Sequence, residues 1–145
     1  MARHFVDTSA LVKLYRDEPN SPAVAAVIHT DDRLVICELA LLEFRSALHA
    51  LVRRREMSEE HARARIALFE QDRRNYEIVP LTSVLAQNGM RLLDQFGIAQ
   101  GLRPPDALQL AAAQQAAQTG LLDAMVTTDG TLGTCARTLG LTVLP

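Results

Sequence analysis

Residues 4–15 read HFVDTSALVKLY. The apolar pair Phe5-Val6 ends on Asp7, with Thr8 and Ser9 directly behind it, and Ala10 to Tyr15 then resume an apolar pattern at helical spacing. A short strand turning through a carboxylate and two hydroxyls into a helix is how a βα unit begins. Any of the three side-chain oxygens could cap the helix by accepting one of its orphan first-turn N–H groups. A carboxylate in that position could equally carry chemistry. The choice depends on whether other acids arrive at matching places.

Working outward, short apolar runs alternate with longer helical patterns. Strands are expected at His4–Val6, Arg33–Cys37, Glu77–Val79, Ala124–Thr127 and Leu141–Leu144. Helices are expected at 10–16, 23–29, 39–55, 59–74, 83–96, 106–119 and 131–139. Strands interleaved with helices imply right-handed crossovers and a parallel sheet covered on both faces, an α/β fold. Turn signals such as Glu18-Pro19-Asn20 and Pro104-Pro105 are spaced as connections, with no linker or repeat, so residues 1–145 are read as a single domain.

Composition sets limits on function. At 145 residues, 48% hydrophobic and 22% charged, the chain suits one soluble core, built from aliphatic residues because aromatics are only 4% and Trp is absent. A formal charge of −2 gives no global attraction to nucleic acid. No signal-peptide pattern and no membrane-length apolar run is present, so a cytoplasmic location without membrane association is expected. Cys37 and Cys135 form no CxxC or Cys/His cluster and read as buried thiols.

In an open parallel sheet the ligand crevice lies outside the carboxyl ends of the strands. Asp7 belongs there, and so does Asp129, which follows Met125-Val126-Thr127-Thr128 as Asp7 follows Phe5-Val6. Helical geometry adds two more acids. Arg45, His49, Arg53 and Glu56 mark the wet face of the third helix, and Glu43 lies about 200° from Arg45, among Leu39, Ala40 and Ala47. Asp106 heads a stripe of Leu110, Ala113 and Ala117, whereas Gln114, Gln115 and Gln118 mark the opposite face. Carboxylates turned inward cost several kcal/mol unless protonated, paired or bound to metal. Four together repel one another, and divalent cations relieve that conflict; an all-oxygen set suits Mg²⁺ or Mn²⁺ rather than zinc. Setting these four acids aside leaves a formal +2, a mildly basic remainder suited to binding phosphate.

Arg53, Arg54, Arg55, Arg63, Arg65, Arg73 and Arg74 crowd one helical hairpin, and are candidates for phosphate contact or for an ordinary solvated face. His4, His29, His49 and His61 are scattered without metal-ligand spacing and are expected at the surface or at helix caps.

With these residues in hand, the sequence resembles the PIN-domain ribonucleases, particularly the VapC-type toxins of bacterial toxin–antitoxin pairs. The resemblance runs through FVDTSALVKLYRDEP, LALLEFRSAL, LRPPDALQLAAA and MVTTDGTLGTCARTLGL. Asp7, Glu43, Asp106 and Asp129 match the family's four ordered acids, Ser9 the hydroxyl near the first and Thr127 the hydroxyl before the last. It implies a three-layer α/β/α sandwich and an endoribonuclease using one or two Mg²⁺ or Mn²⁺ ions. It also implies a small cognate antitoxin and a homodimer, with Ser9 and Thr127 orienting the ligands from behind. Gly130, where many relatives carry a basic or polar side chain, is a departure that removes any assisting role from that position.

Two other readings are open. A phosphohydrolase using Asp7 as nucleophile would want a second nearby Asp and a distant lysine, yet Lys13 is the only lysine. A catalytically inactive PIN-like RNA-binding module would not need all four acids.

Overall fold

The computed structural model describes all 145 residues, Met1–Pro145. In chain order the elements are β1 (Arg3–Val6), α1 (Thr8–Tyr15), α2 (Ser21–Val27), β2 (Arg33–Cys37), α3 (Leu39–Arg53), α4 (Glu59–Asp72), a single 3₁₀ turn (Arg73–Asn75), β3 (Glu77–Val79), α5 (Ser83–Gln100), α6 (Pro104–Thr119), β4 (Ala124–Val126), α7 (Gly130–Thr138) and β5 (Val143–Leu144). No helix is long and apolar enough to cross a membrane.

The five strands form one wholly parallel sheet in the order β3-β2-β1-β4-β5. Phe5 is in register with Val35 on one side and Met125 on the other. Strand side chains alternate between faces, so Phe5, Val35, Cys37 and Met125 enter one core with α5, α6 and α7. Val6, Leu34, Ile36 and Val126 enter a second core with α1, α3 and α4. Two cores separated by one sheet make the α/β/α sandwich. The scarce aromatics gather in the second core, where Phe44 stacks on Phe69 at 4.3 Å and Tyr15 meets Phe44 edge-on at 5.3 Å. Both cysteines are buried, and burial pushes the Cys37 thiol up to about 11.

The sheet order fixes where a ligand can bind. From β1 the chain moves outward through β2 to β3, then crosses back to place β4 on the other flank of β1. The crevice at such a reversal opens between the carboxyl ends of the two strands. Here those are β1 and β4, which deliver Asp7 and Thr127 side by side.

The helices depart from expectation where packing outweighs local pattern. α1 starts at Thr8 because Asp7 supplies the cap, accepting from the Ala10 N–H at 3.0 Å. α5 runs to Gln100, ending at Gly101 in the left-handed conformation (φ 68°) that glycine adopts freely. α6 is buried on a broad arc rather than a stripe: Ala107 and Gln109 to Ala113 are all inside, and Ala117, expected inside, is exposed. The cause is that α5, α7, α3 and the sheet all pack against this alanine-rich helix. His4 is also corrected. It is buried, with Nε2 3.6 Å from Asp32, because β1 is the central strand.

Candidate active site

Asp7 sits at the carboxyl end of β1 and is only 3% exposed. Its Oδ1 accepts from the Ala10 N–H (3.0 Å) and the Ser9 hydroxyl (2.8 Å), and its Oδ2 accepts from the Thr127 hydroxyl (2.8 Å). Capping and a site role therefore coincide. Thr127 Oγ1 in turn accepts from the Asp129 N–H at 3.0 Å, and Ser9 Oγ accepts from the Thr128 N–H at 3.1 Å, so two hydroxyls lace the ends of β1 and β4 together. Asp129 caps α7 as Asp7 caps α1, its Oδ1 accepting from the Leu132 N–H at 2.9 Å.

Glu43 faces inward from α3, as its phase requires. Its Oε1 accepts from the Thr8 hydroxyl at 2.8 Å and from Gln109 Nε2 at 2.7 Å, and Gln109 also donates to Thr8 Oγ1 at 3.0 Å. This triangle joins α1, α3 and α6. Thr8, read from the sequence only as a possible cap, instead binds Glu43, and Gln109 is a site residue that the sequence reading missed. Gln109 leaves a signal in hindsight, as the one polar side chain within ALQLAAA and one turn beyond Asp106. It is 2% exposed, and its Oε1 has no partner.

Asp106 lies in the first turn of α6, which begins at Pro104 and Pro105, where proline suits a helix start. It is half-buried, with Arg103 Nε 3.9 Å away, the only basic group within ion-pair range of any of the four acids.

Electrostatics tie the four together. Burial raises the Asp7 carboxyl to about 6, against the hydrogen bonds from Ala10, Thr127 and Ser9, and the charge of Asp129 adds to the rise. The Asp106 carboxyl is raised by burial, then by Asp129, with Arg103 opposing and Glu43 adding. The acids thus share one negative field with almost no protein cation inside it.

A divalent cation is the group such a field suits. Every candidate donor is a hard oxygen, and the uncompensated charge would be offset by an ion. As the side chains stand, no three acids are gathered closely enough to hold one ion, since Asp7, Glu43 and Asp129 each spend an oxygen on protein donors. The set fits a hard cation in donor type and charge; coordination would require the carboxylates to turn inward or water to bridge them, as Mg²⁺ sites commonly allow.

The arginine hairpin lies elsewhere. Ten residues of helix, about 15 Å, separate Glu43 from Arg53. Arg63 pairs with Glu59, and Arg73 with Glu70, which also takes Arg45. Arg74 precedes β3 and so belongs to the opposite end of the sheet.

Comparison with known proteins agrees with this architecture. The family model of the PIN domain matches residues 4–132. No curated protein matches the sequence. Among solved structures, the chain is similar to VapC20 of Mycobacterium tuberculosis, described as a sarcin-ricin loop cleaving toxin, with 18% identity, a TM-score of 0.69, and 98% of this chain and 99% of that chain covered. FitAcB of Neisseria gonorrhoeae gives 18% identity and a TM-score of 0.68 over 98% and 96% of the two chains. VapBC2 of Rickettsia felis, bound to a promoter DNA fragment, gives 14% and 0.62 over 97% and 96%. With that family match over most of its length and a VapC-like fold throughout, the chain belongs to the PIN domain family.

Proposed function

We propose that the protein is a Mg²⁺- or Mn²⁺-dependent endoribonuclease that hydrolyses RNA phosphodiester bonds, acting as the toxin of a toxin–antitoxin pair. The observation that supports this reading is the mutual coupling of the four acids near the reversal point of the sheet: the charge of Asp129 adds to the burial that raises the Asp7 and Asp106 carboxyls, and Glu43 adds to the rise at Asp106. When bound, one or two divalent ions lower the pKa of water toward neutrality and neutralise charge on a phosphodiester. Asp7, Glu43, Asp106 and Asp129 would hold the ions. Ser9 and Thr127 fix the rotamer of Asp7 from behind through their hydroxyls, and Thr8 and Gln109 do the same for Glu43.

A single-stranded or looped RNA suits the crevice better than a duplex, because its backbone can bend into a recessed acidic site. The nucleophile alternative is disfavoured. Both Asp7 oxygens already accept hydrogen bonds, and Lys13 is held by Glu18 at 3.1 Å. That neighbours of this fold are VapBC assemblies supports a small antitoxin partner and a cytoplasmic role here too. A homodimer is part of the same proposal; Leu11, Val12 and Tyr15 of α1 are core and lie outside any such surface.

The test is cleavage of structured RNA by the purified protein in Mg²⁺ or Mn²⁺, beside EDTA and the Asp7→Asn variant. Metal-dependent cleavage by wild type alone supports the reading. Equal cleavage by the variant assigns the activity to a contaminant.

A further inference from the structure

Arg137 is one of eight arginines that make no ion pair, and among them it alone lines the cavity that holds Asp129, whereas Arg3, Arg16, Arg45, Arg63, Arg73 and Arg103 all face carboxylates within 4.0 Å. That cavity, of about 220 Å³, is lined by Asp129 and by Thr127, whose hydroxyl holds Asp7, together with Asn20, Thr128, Gly130 and Gly133.

Two features of α7 aim it there. Helical side chains lean toward the N-terminus of their helix, so an arginine near the end of α7 reaches back toward the strand ends. At the position one turn earlier stands Gly133, and a Cβ built on it would meet Arg137 Nη1 at 3.6 Å and Thr127 Cγ2 at 3.7 Å. Both groups are therefore near one point above bare backbone, and the guanidinium lies within about 7 Å of Thr127, whose hydroxyl holds Asp7. The same cavity is headed by the first turn of α7, where Asp129 satisfies the Leu132 N–H and Gly130 leaves open space.

From this placement we propose that the Arg137 cavity is a phosphate subsite that binds an RNA phosphodiester next to the one being cleaved. The proposal rests on the ribonuclease reading of the adjacent acids and names the substrate group that this flank receives. A guanidinium with no internal partner offers paired N–H donors to phosphate oxygens. The alternative occupant, a carboxylate of a protein partner, would leave both the affinity for RNA and its salt dependence unchanged in Arg137→Gln. The site also resolves a mismatch: the acid centre cannot draw in a polyanion, and the hairpin arginines are too distant to do so.

The experiment compares wild type, Arg137→Gln, Arg137→Lys and the distant control Arg74→Gln in steady-state cleavage of one RNA in Mn²⁺, from 50 to 200 mM salt. Arg137→Gln should raise KM about tenfold with kcat reduced less than about threefold, and should lower the salt slope of log KM by about 0.7, one single-strand phosphate contact. Arg137→Lys should recover part of the KM, and Arg74→Gln should match wild type. In parallel, fluorescence anisotropy of a labelled RNA is measured on Asp7→Asn with and without Arg137→Gln, where no cleavage is needed. Weaker and less salt-sensitive binding in the double variant supports the subsite. Unchanged KM, salt slope and anisotropy in folded Arg137→Gln overturns it, as does a loss confined to kcat. Should wild type cleave no RNA, the ribonuclease reading fails, and the anisotropy series still decides the subsite.

Discussion

Thr127 Oγ1 donates to Asp7 Oδ2 at 2.8 Å across 120 positions of sequence, joining the ends of the two strands that flank the sheet's reversal point. The bond lowers the carboxyl's pKa, yet burial outweighs it and leaves Asp7 at about 6. The folded state therefore carries an acid that resists ionisation.

That resistance sets a pH dependence. Because the folded pKa of Asp7 is raised above 3.8, its contribution to stability is fully present below pH 4 and is lost as the pH rises through about 6. A shift of this size corresponds to about 3 kcal/mol. Asp7→Asn keeps a capping side chain and should melt higher than wild type at pH 7.5 in EDTA, with the gap closing toward pH 4. Parallel melting curves for the two proteins across that range would exclude the effect. Mg²⁺ should raise the wild-type melting temperature more at pH 7.5 than at pH 5, since protonated carboxylates bind metal poorly.

Gln109 allows stability and site geometry to be separated. Its Nε2 bond to Glu43 stabilises, whereas its buried, partnerless Oε1 costs about 1–3 kcal/mol. Gln109→Leu removes both, so its melting temperature should stay within about 3 °C of wild type. Glu43 would then be held by Thr8 alone, and Mn²⁺-dependent cleavage should fall at least tenfold, with a smaller Mn²⁺-induced melting shift. Full activity in a folded Gln109→Leu protein would remove Gln109 from the positioning role.

At the other end of the sheet, Asp32 accepts from the Ala2 N–H at 3.0 Å and the His29 N–H at 2.8 Å, which hold its carboxyl below the usual range. Stability from a lowered acid is present above its unfolded pKa and is lost as pH falls through the lower folded value. Asp32→Asn should therefore lose about 1–2 kcal/mol at pH 7. Urea titrations of the two proteins should converge as the pH falls through the lowered folded value; a constant difference would assign the loss to packing.

Arg55 occupies the left-handed region (φ 59°) after α3, where a Cβ is strained and glycine is not. Arg55→Gly should stabilise by about 0.5–1 kcal/mol, read as a higher urea midpoint at unchanged slope. A lower midpoint would mean that the guanidinium makes contacts worth more than the strain.

Much of this protein was legible in the order of its residues. Uninterrupted apolar runs at Phe5-Val6 and Leu34 to Cys37 mark strands buried on both faces, and helical spacing between them requires crossovers, so a parallel α/β sheet follows from local pattern. Glu43 was legible as an inward acid because phase on a regular helix is a local property. Ala117 and the arginine hairpin were not, because exposure on α6 depends on which neighbours surround it, and distance from the site depends on where α3 points. His4 misled for the same reason: a single residue does not state that its strand is central. The sequence by itself determined the five strands and their order along the chain, the capping acids Asp7 and Asp129, and the inward phase of Glu43. Only the tertiary structure decided that β1 and β4 are neighbours, that Thr127 reaches Asp7, that Gln109 holds Glu43, and that Arg137 lines one cavity with Thr127 and Asp129, because each is a through-space relation that no residue spacing along the chain encodes.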